Sequence, residues 1–262
     1  MSDLPPRLPP DILGHVADLL HDDLDTLKQC CLISKLWVSP TRRHIFAHVT
    51  FRNRKDQRKW RATFPNPTNS PAYYARTLTV YDGFRGTGEG SLVRGFSRVE
   101  QLLMFLSGVD VDESFIPFRL LAPSLKSLSV TGIILFPHIF NLICSLPFLE
   151  DLTLHGYDPP HIAKARASDP SITGVSSTPP PLTGTFQLEL SRGTAETPRL
   201  LLELRGGLHF RTLEISCELD GCFRRMVEVV AACSGTLECL KITCTTVDGI
   251  VDSVPSSSRT LI

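Results

Sequence analysis

The chain has 262 residues, 42% of them apolar and 21% charged, and its 27 Lys plus Arg balance 27 Asp plus Glu for a formal net charge of zero. That length holds one large domain, or a small one followed by a larger one, and the apolar content excludes wholesale disorder. Zero net charge lacks the strong positive field that general nucleic-acid or anionic-membrane binding requires, so neither nucleic acid nor membrane is expected as a partner.

The first eleven residues contain no apolar run of the kind a secretory leader needs. Leu8-Pro9-Pro10-Asp11 then opens a helix, with proline in the first turn and an acid beside the positive end of the helix dipole. Ile12, Leu13, Val16, Leu19 and Leu20 follow at i, i+1, i+4, i+7 and i+8, which makes one apolar stripe. His21-Asp22-Asp23 breaks it. A second helical stretch carries Leu24, Leu27, Cys30, Cys31, Leu32 and Ile33. A third begins at Ser34-Lys35-Leu36-Trp37, is turned by Ser39-Pro40, and continues from Arg42 to His48 with Ile45 and Phe46 apolar. Three short amphipathic helices in so few residues bury too little surface to stand alone without a disulfide, a metal or a partner. Some of their apolar surface must be covered, by the rest of this chain or by another protein.

These residues resemble an F-box. The resemblance rests on Leu8-Pro9-x-x-Ile12-Leu13-x-x-Val16-x-x-Leu19-Leu20, on Leu24-x-x-Leu27-x-x-Cys30-Cys31-Leu32-Ile33-Ser34-Lys35-x-Trp37, and on the closing Arg43-x-Ile45-Phe46. It covers residues 5 to about 48. One departure is Pro10-Asp11, where F-boxes often carry Glu after the Leu-Pro pair. An F-box followed by loose leucine-rich segments is similar in plan to the F-box proteins of mushroom-forming fungi. The resemblance implies docking on a Skp1-type adaptor, and through it on a cullin. It makes Leu8, Pro9, Ile12 and Leu13 the leading contacts. Val16, Leu20, Leu24, Leu27, Cys30, Leu32, Ile33 and Trp37 then complete the partner-binding set, some of them by packing the module. The rival reading of residues 1–50 is a helical cap that covers the end of the following array within the same chain.

Between Arg52 and Arg61 six basic side chains face a single acid, Asp56, with Trp60 among them. A nuclear-localisation or nucleic-acid patch would have this composition, but a solvated linker over 51–74 is the plainer expectation. His44 and His48 stand four apart, a spacing that can hold zinc on one helix face. No Glu follows His44, so two solvated polar residues are expected there instead.

From residue 75 onward a pattern of apolar-x-x-Leu-x-apolar recurs. Its central leucines, Leu78, Leu102, Leu128, Leu152, Leu188, Leu213 and Leu240, lie 24, 26, 24, 36, 25 and 27 residues apart. Apart from one gap this falls in the range of leucine-rich repeats. Helical signals lie between the strands: Phe136 to Ser145 carries Phe136, Ile139, Phe140 and Ile143 at helical spacing, and Asp220 caps a stretch through Met226, Val229 and Val230 that ends before Gly235. The expected fold is therefore α/β: a short helical module, then an irregular leucine-rich-repeat-like solenoid over 75–252, with parallel strands alternating with helices. The asparagine position of such repeats is largely absent, and another α/β fold with a parallel sheet is the competing expectation.

The irregular gap coincides with residues 159–181, which contain six Pro and four Ser and read as a loop insertion; Thr178-Pro179 within it is better explained as plain loop than as a phosphorylation site. Residues 253–262 form a tail without a clear capping helix, so either the tail covers the end of the array or further repeats belong to a longer protein. The Gly-rich stretch from Asp82 to Gly90 fits neither phosphate-binding spacing and reads as a connection. The apolar run Ile133 to Leu149 is broken by Pro137, His138, Asn141 and Pro147, short of a membrane span. Eight cysteines (Cys30, Cys31, Cys144, Cys217, Cys222, Cys233, Cys239 and Cys244) include no C-x-x-C pair, as expected of reduced thiols in a cytoplasmic or nuclear protein.

With no catalytic motif, metal set or cofactor site in view, the expectation is a non-catalytic adaptor of an SCF-type (Skp1–cullin–F-box) ubiquitin ligase whose array holds an unknown target protein. The alternative is a leucine-rich scaffold with an intramolecular cap and no ligase role.

Overall fold

A computed structural model describes residues 9–66, 69–81, 89–107, 115–133, 136–157, 180–190, 196–204, 207–218 and 223–245. Leu8, most of the Gly-rich stretch, nearly all of the 159–181 insertion, Asp220 and the tail lie outside the described residues.

The N-terminal stretch folds as three helices, α1 (Pro10–Leu19), α2 (Leu24–Ile33) and α3 (Val38–Ile45), with a single 3-10 turn at Lys35–Trp37. Proline leads α1 with Asp11 in its first turn. Asp23 caps α2: its carboxylate accepts from the Thr26 amide at 3.0 Å and the Thr26 hydroxyl at 2.6 Å. Ser34 caps the 3-10 turn by accepting from Leu36 N–H. Leu13 and Ala17 of α1 and Leu27 and Cys30 of α2 turn inward and are buried. Thr41 of α3 is buried with them, its hydroxyl donating to Trp37 C=O at 2.6 Å and lying 2.8 Å from Cys31 Sγ. Outside this small core, Asp18 of α1 receives Arg43 and His44 of α3 on one carboxylate oxygen, at 2.5 and 2.8 Å.

The rest is an α/β unit built on one eight-stranded sheet, β1 (His48–Phe51), β2 (Thr77–Tyr81), β3 (Gln101–Leu106), β4 (Ser127–Ile133), β5 (Asp151–Tyr157), β6 (Thr185–Leu190), β7 (Thr212–Glu218) and β8 (Cys239–Thr245). The strands stand side by side in sequence order and every neighbouring pair is parallel. Parallel neighbours require a crossover between them. Helices α4 (Arg54–Thr63), α5 (Glu89–Arg94), α6 (Phe136–Cys144), α7 (Glu196–Leu202) and α8 (Phe223–Ala232) lie in those crossovers, with 3-10 turns at Pro71–Tyr74 and Ile116–Leu121.

Strand side chains alternate between the two faces of a sheet. One face is a continuous core: Val49, Leu78, Leu102, Leu128, Leu152, Phe186 and Leu213 form one row across the sheet, and Phe51, Val80, Met104, Val130, Leu154, Leu188 and Ile215 the next, all buried. The crossovers close this face with Phe96, Phe118, Ile139, Leu201 and Val229, also buried.

Three expectations are corrected here. The stretch 51–74 is not a linker. Val49 and Phe51 begin the sheet, and α4 docks behind them through Trp60, whose ring lies 5.7 Å from both Phe51 and Phe96. His48 is not on a helix with His44, because α3 ends at Ile45 and His48 opens β1. In β6 the leucine position of the repeat is filled by Phe186, which pairs with Leu152, while Leu188 pairs with Leu154. Phe186 holds this register by stacking on Phe210, with ring centres 5.1 Å apart, and Leu182, at φ +43°, turns its side chain into the core just before the strand.

Candidate partner-binding surfaces

The three N-terminal helices divide their apolar residues between two sides. Leu13, Leu27 and Cys30 fill the interior of the module, so they hold the helices together and have no surface to offer a partner. Val16, Leu20 and Trp37 are half-buried at its rim. Pro9, Ile12, Leu24, Leu32 and Ile33 are exposed. The largest uncovered side chains are Leu19 at 83% exposure, Leu32 at 80% and Ile33 at 78%, with Leu36 at 54%. Leu19 is among the motif residues but outside the expected contact set, and Leu36 stands at an unspecified motif position; Leu36 sits on the 3-10 turn after Ser34 and Lys35. Single exposed leucines are ordinary; here several lie within three short helices, and exposed apolar side chains that form one contiguous patch are of the kind that mark interaction sites.

A second surface is the open face of the sheet. Its row Thr79, Leu103, Ser129, Thr153, Gln187, Glu214 and Lys241 runs across seven strands. The adjacent row begins with Tyr81 and Phe105, whose rings stack 4.6 Å apart and 11° from parallel, and continues through Thr131 to His155 and Glu189. On the later strands polar groups pair sideways: His155 Nδ1 lies 3.2 Å from Glu189 Oε2, and Gln187 Nε2 donates to Glu214 Oε2 at 3.2 Å. A shallow cleft opens over β5 to β8 between these groups, with Lys241 at its far side. The face therefore grades from stacked aromatics to acids, and offers shape and hydrogen bonding across several strands.

Of the cysteines, Cys30, Cys144 and Cys233 are buried, Cys31 is half-buried and Cys239 is exposed, all as free thiols. Burial pushes the Cys144 thiol above its ordinary value; the same cause raises Cys233, opposed by a hydrogen bond to the Phe210 backbone. A raised thiol stays protonated and is a poor nucleophile and metal ligand. Among the described residues no three or more His, Cys, Asp or Glu gather where they could hold a metal ion, and no helix is long and apolar enough to cross a membrane.

Comparison of the chain with protein-family models, with curated proteins and with solved structures finds no match in any of the three.

Proposed function

We propose that this chain is a substrate-recruiting adaptor of an SCF-type ubiquitin ligase. In this reading the N-terminal helices are an F-box that docks on a Skp1-type protein, itself bound to a cullin. The parallel sheet and its crossovers are an irregular leucine-rich-repeat solenoid whose open strand face holds a target protein. The chain contributes proximity: by fixing the target near the conjugating enzyme it turns an encounter between two proteins into a local reaction.

One observation carries the reading. Leu19, Leu32, Ile33 and Leu36 stay uncovered although a whole further domain follows them in the same chain. A helical cap would spend its large apolar side chains on the array it covers. Here those side chains are left uncovered by it. An interface of standard size, about 800 Å² per partner, would bury the four together with Pro9, Ile12 and Leu24. At about 25 cal/mol/Å² the gross apolar gain exceeds the several kcal/mol lost on association. Leu13, Leu27 and Cys30 act in this reading from inside, by setting the angle between α1 and α2.

The test is co-purification of the intact chain with a Skp1-type protein. The wild type is expected to retain the partner, and Leu32→Asp combined with Ile33→Asp to release it while the melting temperature is kept. Undiminished recovery by that double variant would refute the docking surface.

A further inference from the structure

Strand β1 is the first of the sheet and pairs only with β2 among the described residues. The Ala47 carbonyl accepts from the Arg76 and Thr77 amides at 2.8 and 3.0 Å, and Val49 lies opposite Leu78. In a parallel ladder alternate residues send both backbone groups to the same neighbour. Val49 and Phe51 are therefore turned to β2, and the N–H and C=O of His48 and Thr50 point to the open edge. An unpaired edge of this kind is a template for another extended chain.

Beside the edge lies a groove of about 400 Å³ between β1 and α4, walled by Ile45, Phe46, Trp60 and Phe64. The wall is built of packed rings: Trp60 and Phe64 have ring centres 4.9 Å apart, and Phe46 meets both edge-on at 6.0 and 6.2 Å. Of the basic residues here Lys59 lines the groove itself; Arg52 and Lys55 are exposed nearby in sequence, and Arg54 and Arg58 are exposed on the opposite face of α4 from Asp56, Lys59, Trp60 and Thr63. The one acid there, Asp56, is half-buried and accepts the Arg52 amide at 3.0 Å.

We propose that this groove binds an extended acidic peptide of another protein, which joins the sheet as an added strand beside β1. Main-chain pairing with His48 and Thr50 requires an extended occupant, and the aromatic wall takes its apolar side chains at every second position. The excess of positive charge from Arg52 to Lys59, five basic residues against Asp56, favours an acidic over a basic peptide. A second copy of the chain is disfavoured as the occupant, because its β1 is followed by the same cationic helix. The site uses none of Leu19, Leu32, Ile33 or Leu36, so it stands or falls separately from the docking surface.

The experiment is fluorescence anisotropy on the full chain with a labelled octapeptide alternating Glu and Val, against one alternating Lys and Val. The acidic peptide is expected to bind, with affinity falling as salt rises, and the basic one not to bind. Lys55→Glu with Lys59→Glu should weaken binding at least tenfold. Thr50→Pro removes an amide that faces away from β2, so it should abolish binding with the circular-dichroism melt retained, whereas Thr50→Val should bind like the wild type. The same acidic peptide N-methylated at alternate residues, with the methyl groups on its pairing edge, should not bind, a result that does not depend on how the proline variant folds. Equal binding of the two octapeptides, undiminished binding of the N-methylated peptide, displacement by the protein's own dimerisation, or tighter binding of a single-stranded oligonucleotide of equal charge would each overturn the proposal.

Discussion

A Cβ on Gly156 would stand 1.8 Å from the carbonyl oxygen of Gly132, its partner across the β4–β5 pair. The relationship repeats one strand earlier, where a Cβ on Gly132 would meet the Leu106 carbonyl at 2.0 Å. Both glycines hold positive φ, +155° and +115°, which L side chains rarely adopt. The ends of β3, β4 and β5 can follow one another only with no side chain there. Gly156→Ala and Gly132→Ala should each cost more than about 2 kcal/mol, because strain and a backbone clash act together. Gly235, with nothing within 4 Å of its would-be Cβ, is the control: Gly235→Ala should stay within about 0.5 kcal/mol. Urea midpoints with unchanged slope measure all three.

The division of the helical module into interior and exterior makes a paired prediction. Leu27 is fully buried, so Leu27→Ala should destabilise the protein by about 2–5 kcal/mol through lost burial and the cavity left behind. Leu32→Ser removes an exposed leucine and should leave stability within about 0.5 kcal/mol while weakening recovery of a Skp1-type partner. Thermal melts and pull-downs on the same two variants separate the roles; a Leu32→Ser protein that melts early would place that side chain in a core instead.

Much of the sheet is legible in the order of the amino acids, and the reasons are local. Leu78, Leu102, Leu128 and Leu152 recur at nearly constant spacing and occupy one buried row. Phe46-x-x-Val49-x-Phe51 carries the same apolar pattern, but without its leucine and followed by a helix dense in Arg and Lys it looks like a solvated linker. Only the packing of Trp60 on Phe51 reveals which side of α4 is inside. In β6, Phe186, Leu188 and Leu190 alternate, so two registers fit the period equally well and the neighbouring strands decide between them. The candidate docking residues are legible as a stripe and not as a surface. Helical periodicity groups Ile12, Leu13, Val16 and Leu19 together, and the way three helices meet then sends Leu13 inward and Leu19 outward.

Thiol reactivity should follow the same burial. Cys144 and Cys233 are buried and held protonated, whereas Cys239 is exposed on the last strand. Limited iodoacetamide treatment of the native protein should label Cys239 well before Cys144 or Cys233, which should react only after denaturation. Peptide mapping by mass spectrometry reads the order. Early labelling of Cys233 would mean that α8 opens readily from the sheet.

The cap of α2 makes the module weakly acid-sensitive. The Thr26 hydroxyl, and after it the Thr26 amide, hold the Asp23 carboxyl below its ordinary range. A carboxylate lowered in the folded state stabilises it above the unfolded pKa, about 3.9, and that contribution is lost as pH falls through the lower folded value. Asp23→Asn should therefore narrow its stability gap to the wild type as pH drops below about 4. Denaturation midpoints at several acidic pH values measure the gap, and one that widens instead contradicts the capping role.

Whether the N-terminal helices serve the array or an outside partner can be decided by cutting the chain at the right place. A protein beginning at residue 51 would lose β1 together with the helices, since β1 spans His48–Phe51 and its start is tied to β2 by the Ala47 carbonyl. Its unfolding would say nothing about the module. Phe46 belongs with the sheet as well, meeting Trp60 and Phe64 edge-on. The informative truncation begins at Phe46 and keeps the whole β1 pairing. If the helices dock outward, residues 46–262 should still melt cooperatively, within a few degrees of the full chain, and should no longer recover a Skp1-type protein. If the helices are a cap, the same truncation should melt broadly or aggregate, because an end of the core would be stripped. The contacts between α3 and the 3-10 turn at Pro71–Tyr74 are the module's foothold on the array. Tyr73 in that turn is already half-exposed, its ring beneath the Arg98 guanidinium, while Pro71 and Ala72 are buried, so the melt of the truncated protein reads how much of their burial α3 supplies.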